Sequence, residues 1–263
     1  NTYINIDIDG DGKADVNIIP YQSLEYSYVG FNNANAPLDN EKVRQALSLA
    51  TDREAILKIV WNGEGLVTGP VAPSMGDWAI DVQAQDLYKT NVEKAKALLA
   101  EAGLADGFDI TITTASTYPD MVDTAQLLQQ QWKEIGVNAT IKQIEWGEYV
   151  DTWSNKTADI LIGRNTSGID PDRALNYFFS STGSANVWNF SNQAYDDLVA
   201  KGLGTTDEVE RKKVYAEAQE MLINLSPNLF LVSPKNYVAV RKDISGYTPY
   251  PHNASDYNNV EKK

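Results

Sequence analysis

Residues 107–162 constrain the fold of this chain more than any other stretch. "GFDITITTA" alternates polar and apolar residues at the period of a strand. Pro119 and Asp120 then open a helical pattern in which Val122, Ala125, Leu128, Trp132 and Ile135 share one face, and Gly136 closes it. "VNATIKQIEW" reads as a second strand and "ADILIG" as a third, again with a helical connection. Strands joined by helices must cross over, and crossovers place neighbouring strands parallel and right-handed. The expectation is an α/β fold with a mainly parallel sheet flanked by helices. Such sheets hold ligands beyond the carboxyl ends of their strands.

The flanking segments are mostly helical. "LDNEKVRQALSLA" puts Val43, Ala46, Leu47 and Ala50 on one face, with Asp39 or Asn40 as N-cap. Thr51 and Glu54 have the spacing of a capping box for a second helix. Residues 61–90 are rich in Gly and Pro and read as irregular. Asn91 caps "VEKAKALLAEAG", which stops at Gly103. Asp170 is placed to cap a helix with Pro171 at its first position. Two more helices are expected near 192–203 and 206–225. The second has Thr205 and Glu208 as a capping box and a stripe of Val214, Ala218, Met221, Leu222 and Leu225. "NLFLVS" and "YVAVR" read as closing strands.

Bulk properties exclude several function classes. The chain carries 36 acidic and 22 basic residues, a net charge of −14, so a nucleic-acid partner is not expected. No apolar run approaches the roughly 18 residues of a membrane-spanning helix. The absence of cysteine removes thiol catalysis, disulfides and thiolate metal sites, and fits an exported bacterial protein. The single histidine, His252, stands in a Pro- and Asn-rich tail and reads as surface. Ser-His-Asp chemistry therefore lacks material. The carboxylate pairs Asp170/Asp172 and Asp196/Asp197 could serve a hydrolase. With 36 acidic residues, though, such pairs arise without selection, and no enzyme is expected.

Residues 1–20 form a distinct segment. Asp7, Asp9, Asp11 and Asp15 occupy positions 1, 3, 5 and 9 of an EF-hand-like pattern. Gly12 falls at the sharp turn, and Lys13 stands where a backbone carbonyl would ligate. The closing acidic ligand is replaced by Ile18. The same residues also read as a hairpin, "YINIDI" and "ADVNII" around "DGDG". The two readings are compatible, since a Ca²⁺ ion could pin the turn.

At the end of the third strand comes "GRNTSGIDPDRALNYFF". Its address, after a buried strand and before a helix, makes Arg164, Asn165, Thr166 and Ser167 the leading ligand-binding candidates. Tyr26, Asn32, Trp146, Asn186 and Trp188 are weaker candidates, since aromatic and amide side chains commonly line solute pockets.

Several strings together carry a family resemblance. They are "YSYVGFNNANAPLDNEKVRQALSLATDREAIL", "GPVAPSM", "NVEKAKALLAEAGLADGFDITI", "LLQQQWKEIGVNATI", "ADILIGRNTSGIDPD" and "RKKVYAEAQEMLINLSPNLFL". In this order, over about residues 24–248, they resemble the extracellular solute-binding proteins of the peptide/nickel ABC-transporter class, family 5. The resemblance implies a periplasmic-binding-protein-like architecture of two lobes closing on a ligand. Residues 21–250 would be the second lobe, residues 251–263 a tail, and the N-terminal lobe of the same protein would be missing. It further implies a monomeric receptor that captures a small solute, most plausibly a peptide, and delivers it to a permease in the membrane. The place would be extracellular, at a lipid-anchored cell surface or in the periplasm of a bacterium. Peptide binders of the family hold the ligand's amine with an acidic residue three positions before the Asp-Pro pair. Here that position is Ser167, and the usual Trp after the glycine is Arg164. A calcium-stiffened cell-surface adhesion module remains the alternative function.

Overall fold

A computed structural model describes residues 6–8, 10, 12, 14–252 and 256–263. The strand–helix–strand–helix–strand unit is present. Strand β4 (Phe108–Ala115) leads through α4 (Pro119–Lys133) to β5 (Val137–Ile144), and α5 (Trp146–Ser154) leads to β6 (Ile160–Thr166). β4 pairs in parallel with β5 from Phe108↔Val137 to Ala115↔Ile144, and in parallel with β6 at Ile112↔Ile160 and Thr113↔Leu161. All three strands therefore point their carboxyl ends to one edge.

The sheet as a whole is mixed rather than mainly parallel. Its order is β5-β4-β6-β2-β7, and β2 (Glu25–Phe31) is antiparallel to both β6 and β7 (Asn228–Phe230). The helical crossovers that announce parallel pairing connect only the three strands β4, β5 and β6. β2 arrives from a different part of the chain, and its six consecutive buried residues Tyr26–Phe31 suit a strand covered on both faces.

A second, three-stranded antiparallel sheet has the order β1-β8-β3, with β1 (Val16–Gln22), β8 (Val232–Arg241) and β3 (Gly65–Val67). β1 pairs with β8 from Val16↔Arg241 to Gln22↔Lys235. It is an edge strand, where Pro20 can be accommodated because its missing N–H faces outward. The boundary expected at residue 20 falls inside β1, which pairs with β8 in this sheet. Much of the first arm of the expected hairpin, residues 3–8, lies outside the described residues, and the Asp15 N–H donates to the Ile6 carbonyl at 2.8 Å. β7 and β8 are separated by Leu231 alone, whose N–H donates to the Ser27 carbonyl at 2.9 Å. One stretch of chain thereby serves both sheets. The tail folds back as β10 (Glu261–Lys262), antiparallel to β9 (Ile244–Ser245).

Helices α1 (Glu41–Leu49), α2 (Arg53–Val60), α3 (Val92–Glu101), α6 (Gln193–Gly204) and α7 (Glu208–Leu225) complete the fold. Asn40 and Asn91 cap α1 and α3 as the sequence indicated. For α2 and α7 the caps are Asp52 and Asp207, one and two residues past Thr51 and Thr205. Thr51 serves the core instead: its hydroxyl donates to the Leu47 carbonyl at 2.7 Å and accepts the Trp132 indole N–H at 3.0 Å. The Thr205 hydroxyl closes the preceding helix by donating to the Lys201 carbonyl. Trp132 is fully buried against Phe31, and burying a side chain of that size contributes about 2–3 kcal/mol.

Two arginines fasten this interior. Arg44 donates to the carbonyls of Leu225 and Ser226 at the end of α7, and to that of Leu38 at 2.8 Å. A cation at a helix C-terminus is favoured by the unpaired carbonyls there. Arg53 donates to the Phe230 carbonyl at 2.9 Å and the Ser48 hydroxyl at 2.9 Å, with Tyr88 packed on its guanidinium at 4.1 Å.

Candidate functional site

Three chain segments leave the carboxyl edge of β4, β5 and β6, and they converge on a cleft of about 250 Å³. From β4 come Tyr118, Asp120 and Met121. Here "TYPD" ends the strand and starts α4 with Pro119 at its first position. From β5 comes α5, whose first residue is Trp146, because the Glu145 carboxylate accepts the Gly147 N–H at 2.7 Å and caps it. From β6 come Gly163, Arg164 and Asn165.

Aromatic rings organise the space. Trp146 stacks on Tyr149 at 5.3 Å with an interplanar angle of 11°, and meets Tyr118 edge-on at 5.1 Å. The Arg164 guanidinium lies 5.2 Å from the Tyr118 ring and 5.5 Å from the Trp61 ring. Its charge is already matched. Arg164 Nε donates to Asp120 Oδ2 at 2.8 Å, and Nη2 donates to Oδ1. This two-pronged pair joins the ends of β6 and β4, and a fork-on-carboxylate geometry is among the stronger polar contacts.

Behind the rings lie two hydroxyls. The Tyr149 hydroxyl donates to the Ile162 carbonyl at 3.0 Å. Its only proton is thereby used, and the Tyr28 hydroxyl lies beside it, over Gly163. Burial pushes the Tyr28 hydroxyl well above the usual tyrosine range and Tyr149 up to about 12, so both stay protonated at physiological pH. Gly163 is required at this spot. A Cβ there would run into the Tyr28 and Tyr149 hydroxyls.

Of the residues expected from sequence, Arg164, Asn165 and Trp146 line this cleft. Thr166 is partly buried, and its hydroxyl accepts the Gly168 N–H. Ser167 is 0% exposed and does not face the cleft. Its N–H donates to the Leu24 carbonyl and its hydroxyl accepts the Ala72 N–H at 2.8 Å, so it pins the loop to "GPVAPSM". Tyr26, Asn32, Asn186 and Trp188 are also buried. Tyr26 packs edge-on against Phe230. The Asn32 amide bridges the Lys156 carbonyl, the Ala34 N–H and Asn189. Asn186 donates to the Ser180 and Phe190 carbonyls. Trp188 packs on Tyr28 and fills the space left by Gly30. The common reason is that amides and rings in "SANVWNF" satisfy backbone and core rather than solvent. Tyr118, Asp120, Met121, Tyr149 and Trp153 are the residues in and around this cleft that sequence reasoning missed. The signal was available, since they too follow the carboxyl ends of parallel strands.

The acidic pairs are engaged in structure. Arg211 holds Asp170 with contacts of 2.8 and 3.0 Å, and the Tyr215 hydroxyl donates to Asp172 at 2.9 Å. Asp196 accepts the Ser181 N–H, and Asp197 accepts from Gln193. In the N-terminal loop, Asp7 accepts the N–H groups of Gly10 and Gly12, and Asp15 accepts that of Ile8. Among the described residues, no cluster of His, Asp or Glu suits a metal. Asp9, Asp11 and Lys13 lie outside the described residues, so calcium rests on the sequence spacing alone.

Comparison with known proteins accords with this architecture. Residues 4–186 match the family described as bacterial extracellular solute-binding proteins, family 5 Middle. The chain is 32% identical over 254 residues to a dipeptide-binding protein of Escherichia coli, covering 93% of this chain and 47% of that one. It is 32% identical over 245 residues to heme-binding protein A of Haemophilus influenzae, covering 90% of this chain and 44% of that one. A crystal structure of a dipeptide-binding protein from Pseudoalteromonas sp. SM9913, in complex with Met-Leu, superposes with a TM-score of 0.81 at 30% identity over 95% of this chain and 51% of that one. The chain thus spans about half the length of the relatives it matches, and the matched region takes in the Asp-rich segment from residue 4 onward. With the edge cleft and the mixed sheet both in place, this chain belongs to the bacterial extracellular solute-binding proteins of family 5.

Proposed function

We propose that this chain is one lobe of the solute-binding component of an ABC importer, and that it presents the cleft at the carboxyl edge of β4, β5 and β6 to a small solute, a peptide in the first instance. The observation that carries this is the convergence of three strand ends on Trp146, Tyr149 and the Arg164–Asp120 pair, in a fold whose relatives are named for dipeptide binding. The Met-Leu complex of a structurally similar protein supports the same ligand class. A lobe of this kind offers half of the contacts and leaves the ligand open to water. Closure against a second lobe would supply the rest, through contacts made only in the closed state. The receptor would act as a monomer outside the cytoplasmic membrane and hand its solute to the permease.

The test uses the longer receptor purified from its own host. Native mass spectrometry should find a bound small solute, and a peptide mass would support the assignment. Calorimetry should then show that Trp146→Ala weakens that solute by about tenfold, about 1.4 kcal/mol. Solute binding that ignores Trp146→Ala places the site elsewhere.

A further inference from the structure

Resting on the cleft assignment above, we infer that the recess between Trp146, Val150, Trp153 and Met121 takes one uncharged, apolar side chain of the solute, of leucine or phenylalanine size, and that the Arg164–Asp120 pair at its rim excludes charged groups. Size is the first reason. On this lobe the recess offers about 250 Å³, room for one large side chain, and the rest of a solute would lie against the second lobe. It fits a part of a solute.

Chemistry is the second reason. The polar atoms at the back are already consumed. The Tyr149 hydroxyl spends its proton on the Ile162 carbonyl, and the Tyr28 hydroxyl sits beside it over Gly163. Away from Arg164 and Asn165 at the rim, the residues that remain turned to solvent are apolar. Trp146 and Val150 are each 40% exposed, and at a spacing of four they share one face of α5. An exposed indole beside an exposed valine is the surface that gains by covering.

The rim is the third reason. At Arg164 a solute carboxylate would meet a guanidinium whose charge Asp120 already matches, so it gains little there, and displacing Asp120, 14% exposed, would leave that carboxylate unpaired. A solute ammonium seeking Asp120 would face the Arg164 guanidinium already held there. A charged side chain in the recess would lose its hydration and meet no free countercharge. The free ends of a peptide must then be held by groups outside this recess.

The experiment is calorimetry on the longer receptor with tripeptides of alanine, substituted at one position at a time by Leu, Phe, Glu or Lys. At one position Leu or Phe should bind about tenfold or more tighter than Ala, as expected for filling an apolar pocket, and Glu and Lys should bind weaker than Ala. Val150→Asp, at a half-exposed helical position whose folding is checked by circular dichroism, should erase the Leu and Phe advantage and improve Lys at that position. If tripeptides bind but no position prefers an apolar residue, or if Val150→Asp leaves the preference intact, the recess assignment is overturned while the receptor assignment stands. If no tripeptide binds, the peptide assignment fails and this inference falls with it.

Discussion

Arg44 and Arg53 in the interior and Arg164 and Arg211 at the surface are four arginines handled in two opposite ways. The interior pair is held by carbonyl oxygens: Arg44 by Leu38, Leu225 and Ser226, Arg53 by Phe230 and Leu87. Burial pulls both guanidinium groups below their ordinary range. The surface pair is held by carboxylates from other elements, Asp120 and Asp170, and the Asp170 contact holds Arg211 above its ordinary range. Carbonyls are fixed in the backbone and carry no net charge, so an interior arginine locks elements in one arrangement. A carboxylate neutralises its partner but sits on a side chain that can move. Such a contact can open and close without disturbing the elements that carry it.

The largest effect expected from this contrast is at Arg53. Arg53→Met should cost about 3–5 kcal/mol in urea denaturation, because it leaves the Phe230 carbonyl unpaired in the core and strips the Ser48 and Leu87 oxygens of a donor. A cost below about 1 kcal/mol would mean that the interior arginines are not structural anchors. Next comes Gly163→Ala, which forces the Tyr28 and Tyr149 hydroxyls apart. A destabilisation of about 1–3 kcal/mol is expected, together with weaker solute binding, because the tyrosines frame the cleft. A variant as stable as the parent would show that the two hydroxyls are loosely packed.

The smallest effect concerns pH at the surface pair. Burial alone would raise the Asp170 carboxyl, but the Arg211 pair and the Asp172 N–H outweigh it and hold the carboxyl below its ordinary range. A depressed carboxyl contributes stability that is present above the ordinary carboxylate range and lost as pH falls through its folded value. Asp170→Asn should therefore flatten the fall in melting temperature between neutral and acidic pH. The change should be slight, since the Asp170 side chain is about half exposed and screened by solvent. Identical acid slopes in both proteins would show that the pair is only a surface contact.

Much of this molecule was legible in its sequence. The three strands and two helices of residues 107–166 follow from local periodicity, and the Asn40 and Asn91 caps from residues within one helical turn. The strand-end address named Arg164, Asn165, Thr166 and Ser167, of which Arg164 and Asn165 line the cleft, joined there by Trp146, which was named for its ring. Capping boxes misled by one or two residues at Thr51 and Thr205, because both hydroxyls were claimed by neighbours that the local pattern does not show.

Order along the chain thus determined which elements form and at which edge the cleft opens, since helix and strand periods, caps and turns act over a few residues. Only tertiary structure decided the antiparallel entry of β2 into the sheet, the Arg164–Asp120 pair across 44 residues of sequence, and the inward turn of Ser167 toward Ala72. Burial of a polar group depends on whether a distant partner is there to receive its hydrogen bond or its charge, and no local window of sequence contains that partner.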